Sequence, residues 1–279
     1  MINFFRRIFS PIYRCYLFCF WSIISFPLNL QAWIFNLFNQ RCYNRISFPE
    51  MISQRKSDTV FVCGTGSSIL DLKPDDWSLI SQHDVLSFRD FPRQTFVKAD
   101  FHVTGEIDDV DSYAQQINDN YLYSNTCFLI QEGFNALMGN RFVGFKKLKP
   151  NATICRFRRK HRGRMKIFSR FIDSGVVHGY GSIISVVNIA YLMGWKNIVL
   201  VGIDLYDHRY FYMPDNETRS VEKRGLTFKS PFTQSSKIVA QLGLWNQHFN
   251  VEGVSLYSYN HRSLLVEKLP VFNFSLLKD

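Results

Sequence analysis

The 279-residue chain predicts an α/β fold in which a mostly parallel sheet is wound on both faces by helices. Three observations predict it. Short apolar runs bounded by turn residues recur between helix-like stretches, as buried parallel strands do. One of them, T-V-F-V-C, runs into the glycine turn G-T-G-S-S (64–68). Another, N-I-V-L-V, runs into G-I-D-L-Y (202–206).

Composition narrows the classes. With 46% apolar and 20% charged residues, 27 Phe and 13 Tyr, the chain is too rich in core formers to be disordered, and no internal repeat suggests a solenoid. The six Cys form no C-x-x-C and have no His at zinc spacing, so reduced thiols and no metal site are expected. The net charge of +10 is uneven. Residues 1–49 hold five Arg and no acid, residues 141–170 hold twelve Lys or Arg and no acid, and the remainder has more acids than bases.

In chain order, the first element is an anchor, residues 1–49. Cys15 to Gln40 is a stretch of 26 uncharged residues, long enough to span a bilayer and followed by no small-residue cleavage site. Arg14, Ser22, Ser25, Asn29, Asn36 and Gln40 draw a narrow polar stripe at helical spacing, and Pro27 interrupts the run. With Trp21 and Trp33 as interfacial residues, a helix lying in the headgroup boundary is the first reading and a span the second.

Ser47 to Ser57 reads as a linker, and the domain is assigned to residues 50–279. Strands are predicted at 59–63, 84–88, 99–103, 126–130, 197–203 and 254–259. Helices are predicted at P-D-D-W-S-L-I-S (74–81) and at S-I-I-S-V-V-N-I-A-Y-L (182–192), the latter apolar nearly all round and stopped by Gly194.

A strand that enters a glycine turn can aim backbone N–H groups at an anion, and Ser67 and Ser68 could cap a helix leaving that turn. The dinucleotide fingerprint is incomplete, since a third Gly is absent, and Asp84 stands at about the right distance for its acid by chance as easily as by design. Gly202, Asp204 and Tyr206 fall at a strand's carboxyl end, where α/β sheets bind ligands. There a carboxylate can accept from a ribose or sugar, and phenols such as Tyr206, Tyr210 and Tyr212 can donate to a phosphate. Each turn could equally be structural. Asp109-Val110-Asp111 could hold a divalent ion but reads better as a solvated turn. The basic run R-F-R-R-K-H-R-G-R-M-K (156–166) has few aromatics and no nucleic-acid module around it, so anionic lipid or a phosphorylated glycolipid is the better partner, beside a merely solvated helix.

G-T-G-S-S-I-L-D-L and S-I-I-S-V-V-N-I-A-Y-L-M-G-W-K-N-I-V-L-V-G-I-D-L-Y together resemble the bacterial sialyltransferases of glycosyltransferase family 42 and the related lipopolysaccharide-core enzymes thought to transfer Kdo. The resemblance spans roughly residues 58–265 and is closest in those two blocks. It implies a Rossmann-like GT-A variant with a small lid at about 207–236, using a CMP-activated keto-sugar acid without metal and with inversion. Gly64, Thr65, Gly66, Ser68, Ser182, Gly202 and Asp204 would then line the CMP site, and Tyr206 and Tyr212 would hydrogen-bond the leaving phosphate. The chain departs from the family in three places. Thr65 and the pair Arg89–Asp90 stand where the family has Asn, which makes Arg89 a donor-site candidate. The segment S-P-F-T-Q-S-S (230–236) lacks the family's general-base His, so His208 or His178 would have to supply it.

The resulting expectation is a glycosyltransferase on the cytoplasmic face of a bacterial inner membrane, moving Kdo, sialic acid or a similar nonulosonic acid onto a lipopolysaccharide or other glycolipid. The alternatives are an S-adenosylmethionine-dependent methyltransferase, for which Cys63 stands where an acid is usual, and an inactive membrane-tethered nucleotide-binding scaffold. The sequons at Asn151 and Asn216 would also permit a luminal transferase.

Overall fold

The computed structural model describes residues 27–105, 109–133, 137–160, 168–206, 209–214 and 232–277. These form a 9-stranded sheet flanked by helices on both faces. The strands are β1 Asn44–Ile46, β2 Thr59–Cys63, β3 Asp84–Phe88, β4 Phe101–Val103, β5 Cys127–Glu132, β6 Thr153–Lys160, β7 Val176–Val177, β8 Asn197–Val201 and β9 Ser255–Ser258. Their order is β1-β6-β5-β4-β3-β2-β8-β9, with β7 extending from β6, and every strand pair is parallel. The helices are α1 (residues 27–39), α2 Phe48–Ile52, α3 Pro74–Ser81, α4 Val110–Asp119, α5 Leu137–Gly144, α6 Ser182–Leu192 and α7 Phe232–Val251.

Alternation along each buried strand builds two cores. Val60 and Val62 of β2 face α6 and α7, in a layer with Trp195, Leu200, Trp245 and Phe249. Phe61 and Cys63 face the opposite layer, with Trp77 and Ile80 of α3, Tyr113 of α4 and Phe142 of α5. A strand that is apolar at every position is what burial on both faces demands. The predicted doubly wound sheet is therefore the fold.

Local chemistry sets the element ends. Ser47 and Glu50 cap α2 reciprocally, with Pro49 in its first turn. Lys73 N–H donates to Asp76 ahead of α3, and Gly194, at φ +81°, stops α6. Asp109 caps α4 by accepting from the N–H groups of Asp111 and Ser112, so the Asp109-Val110-Asp111 motif is the start of a helix. Asp84 lies at the amino edge of the sheet, wholly buried, accepting from Lys56 N–H, Ser57 N–H and Trp195 Nε1–H. It is a structural staple, far from the fingerprint role its spacing suggested.

Strands β1, β6 and β7 lie outside the predicted set. Residues 156–160 of the basic run form the second half of β6, whose Cys155 and Phe157 face one core while Arg158 stays exposed. C-R-F-R does carry the period of two of a half-buried strand, but its density of Lys and Arg reads first as a solvated basic surface. The two-residue β7 is too short to show any period. The margin strand β1 lies within residues 1–49, so the sheet reaches back past the linker and takes in the end of that segment.

Helix α1 also packs on the domain. Asn36 Nδ2 donates to Asn140 Oδ1 at 2.7 Å, Asn39 Nδ2 to the Gly144 carbonyl at 2.8 Å, and Arg156 of β6 donates to Asn36 Oδ1. Among the described residues no helix is long and apolar enough to cross a membrane. Cys42, Cys63, Cys127 and Cys155 are free thiols.

Candidate active site at the carboxyl edge of the sheet

From β2 the chain steps outward through β3, β4, β5 and β6 on one side, then returns through α6 to β8 on the other. The carboxyl ends of β2 and β8 are thus the switch point of the sheet, the usual place for a ligand crevice in this architecture. Both singled-out motifs lie there and touch each other. Gly64 N–H donates to the Val201 carbonyl and Gly66 N–H to the Gly202 carbonyl, each at 2.8 Å.

The glycines follow from that closeness. A Cβ on Gly64 would lie 2.3 Å from Ile203 Cδ1, and one on Gly66 would lie 2.4 Å from Asp204 Oδ2. Gly202 takes φ +65°, a conformation that side chains disfavour.

Asp204 is 3% exposed and fastens the two loops together. One carboxylate oxygen accepts from Ser68 Oγ–H and, at 2.9 Å, from Asn260 Nδ2; the other accepts from Ser68 N–H at 3.0 Å. Three amides of the first turn, Gly64, Gly66 and Ser68, are therefore spent on the second loop, and Ser68 and Asp204 act on each other. Thr65 is buried in the same turn, and its carbonyl accepts from Phe211 N–H at 3.1 Å.

The segment after Tyr206 folds back onto this turn. Tyr210 makes an antiparallel bridge with Gly66 and stacks on Tyr212, ring centroids 5.4 Å apart. The Tyr212 hydroxyl donates to Asp90 Oδ2 at 3.3 Å, while the Arg93 guanidinium lies 4.4 Å from its ring centroid. Burial and the Asp90 carboxylate both push the Tyr212 phenol upward, so it stays a neutral donor. Arg89, next to Asp90, takes φ +54°, a rare conformation for a side chain of its size and one that re-aims the chain as it leaves β3. Of the proposed lid, 207–236, residues 209–214 are pinned to the first turn in this way, and α7 begins at Phe232.

Tyr206 is half-buried beside Asn260, whose Nδ2 lies 3.5 Å from the Tyr206 hydroxyl. Ser182 begins α6 at the same sheet edge, with Gly181 as its extended N-cap. His178 precedes it and pairs with Ser185 Oγ at 3.1 Å. His208 lies outside the described residues. Among the described residues no cluster of three or more His, Cys, Asp or Glu could hold a metal ion.

Sequence reasoning missed Asn260, Arg93 and His261. Asn260 follows β9, the neighbour of β8, and links Asp204 to Tyr206. Exposed His261 comes next in the chain, and the polar Y-N-H-R after an apolar strand was the signal that could have found both. Arg93 belongs to F-R-D-F-P-R, where the resemblance points only to Arg89 and Asp90. The constellation as a whole offers phenol donors at the carboxyl edge of the sheet, with Arg93 beside Tyr212, suited to an anionic or nucleotide ligand.

No family model matches the chain, and no curated protein matches its sequence. Among solved structures it is similar to the monofunctional α-2,3-sialyltransferase Cst-I from Campylobacter jejuni, at 15% identity and a TM-score of 0.46, over 77% of this chain and 80% of that one. At that identity no individual site residue carries over.

Proposed function

We propose that the chain is a glycosyltransferase that moves a CMP-activated keto-sugar acid (Kdo, sialic acid or a similar nonulosonic acid) onto a lipopolysaccharide or other glycolipid, with inversion and without metal. The observation that carries this reading is the meeting of the two resemblance motifs, 64–68 and 202–206, at the switch point of the sheet, with Tyr206 and Tyr212 on the same edge.

CMP leaves as a monophosphate monoester, and neutral donors in a preorganised site can stabilise the charge it gains. In this reading Tyr206 and Tyr212 donate to that phosphate. A bound phosphate competes with Asp90 for the Tyr212 hydroxyl, and Arg89 and Arg93 offset the added charge. Asp204 positions Ser68 and Asn260, and through Asn260 the Tyr206 ring. A base takes the acceptor hydroxyl's proton as positive charge develops at the anomeric carbon. Its candidates are His178, His208 and His261.

The test is CMP release from CMP-Kdo and from CMP-sialic acid. Tyr206→Phe lowers kcat roughly tenfold or more, the loss typical of one transition-state donor. An unchanged kcat removes Tyr206 from the mechanism.

One observation favours a second reading, a nucleotide-binding scaffold without turnover. The amides of Gly64, Gly66 and Ser68 and the Asp204 carboxylate already satisfy one another, as in a purely structural turn. CMP binding with no release from either donor would select it.

A further inference from the structure

Helix α1 is packed inside out. Its polar residues Asn29 and Asn36 are buried with Ala32 against α5 and β6, Asn36 being only 5% exposed. Helical geometry puts Leu28, Leu30, Ile34, Phe35, Leu37 and Phe38 on the opposite arc, with Gln31 as its polar member. Most of that arc faces outward, Phe38 being 72% exposed, while Leu30 is half-buried and the Phe35 ring meets Phe145 edge-on at its margin. A helix on a water-soluble surface does the reverse, so the arc calls for an apolar occupant.

We propose that this outward arc is a membrane-docking surface that lies in the plane of an anionic bilayer. Charge and continuity argue for lipid. Exposed Arg41 and Arg45 come directly after the helix, and exposed Lys146 follows the adjoining α5, while Arg158 of β6 is paired with Glu132. Residues 1–49 contain no acid, and the uncharged run from Cys15 leads straight into α1. Apolar rings and leucines with Arg41 and Arg45 at the helix end match an acyl boundary beneath anionic headgroups. Within the described part of the stripe, Asn36 thus holds the helix to the domain and Asn29 is buried beside it, where the sequence had suggested a face toward the headgroups. The inference is independent of the donor chemistry, since a chain that bound no CMP would still carry this face.

The test uses the full chain with Cys15, Cys19 and Cys42 changed to Ser and one environment-sensitive fluorophore on Phe38→Cys or, as a reference, on Asp119→Cys of α4. Vesicles of phosphatidylcholine are compared with vesicles that also contain phosphatidylglycerol. The expected result is sedimentation with the anionic vesicles that salt weakens, a blue shift and lipid-borne quenching at position 38, and neither at position 119. In the unlabelled full chain, Leu37→Glu with Phe38→Glu should lower vesicle partition roughly tenfold or more, with an unchanged circular dichroism spectrum. Sedimentation with an unshifted label at 38 would assign binding to residues 1–26 and overturn the proposal. So would no sedimentation, a label already shifted without vesicles, or a dimer that the Glu pair dissociates.

Discussion

Gly66 and Gly105 separate two meanings of glycine in this chain. An added Cβ at Gly66 meets the Asp204 carboxylate, whereas at Gly105 the nearest atom, Arg89 Cγ, is 3.8 Å away. Gly66→Ala should therefore lower stability by about 1–3 kcal/mol, as overpacking does, and impair ligand binding with it. Gly105→Ala should unfold at nearly the wild-type urea concentration. Equal effects of the two would refute the pairing of the loops as the reason for Gly66. The sequence showed that the 64–66 glycines mattered, but not why: the partner loop lies some 140 residues away, and a turn held by Asp204 reads the same as one held open for an anion.

His102 gives a pH prediction. It is wholly buried between Ser87 Oγ, 2.7 Å from Nδ1, and the Tyr113 hydroxyl, with Tyr123 also bonded to Ser87. A neutral ring satisfies this network by donating at one nitrogen and accepting at the other. Burial lowers its pKa from the usual 6.5 to about 3. The unfolded chain therefore binds the proton first, and this contribution is complete above pH 6.5 and is lost as pH falls toward 3. Urea unfolding at pH 7.5 and pH 5 should show a loss of about 2 kcal/mol attributable to His102, absent in His102→Gln. An identical pH dependence in the variant would show that the ring is not held neutral. No local pattern in A-D-F-H-V reveals the network, because its partners come from β3, α4 and the turn before β5.

At the scale of elements, α1 depends on small residues. A Cβ on Gly144 of α5 would lie 2.3 Å from the Ala32 carbonyl oxygen, a backbone atom that cannot turn aside. Gly144→Ala should push α1 off α5 and speed amide exchange in residues 27–39 by tenfold or more, leaving β2 and β3 protected. Uniform exchange changes, or none, would mean that α1 is not held there. The buried strands were legible because consecutive apolar residues with turns at each end have few other readings. Strand β6 was legible in principle, since C-R-F-R alternates a buried face with arginines, but the run of basic residues read first as a solvated surface, and nothing local shows that one of them, Arg156, bonds to α1. Helix α1 was legible as a helix, but which of its faces turns inward depended on Asn140 and Gly144 more than a hundred residues later.

For the whole molecule, two separate cores follow from central strands, β2, β3 and β4, that are buried on both faces, as a parallel sheet between helix layers requires. The switch point follows in turn from β8 settling beside β2 rather than beyond β6, a choice made by the packing of α6 and invisible to periodicity. That choice brings together, at one edge of the sheet, motifs that stand far apart in the sequence. Whether this edge holds CMP is tested most directly by the melting temperature of the full chain with about 1 mM CMP, compared with S-adenosylhomocysteine, NAD and UDP. A ligand at one hundred times its Kd adds about 2.7 kcal/mol, which appears as several degrees. The expected result is a rise with CMP that Gly66→Ala abolishes. No rise with CMP, or a rise with S-adenosylhomocysteine in its place, would refute the CMP site.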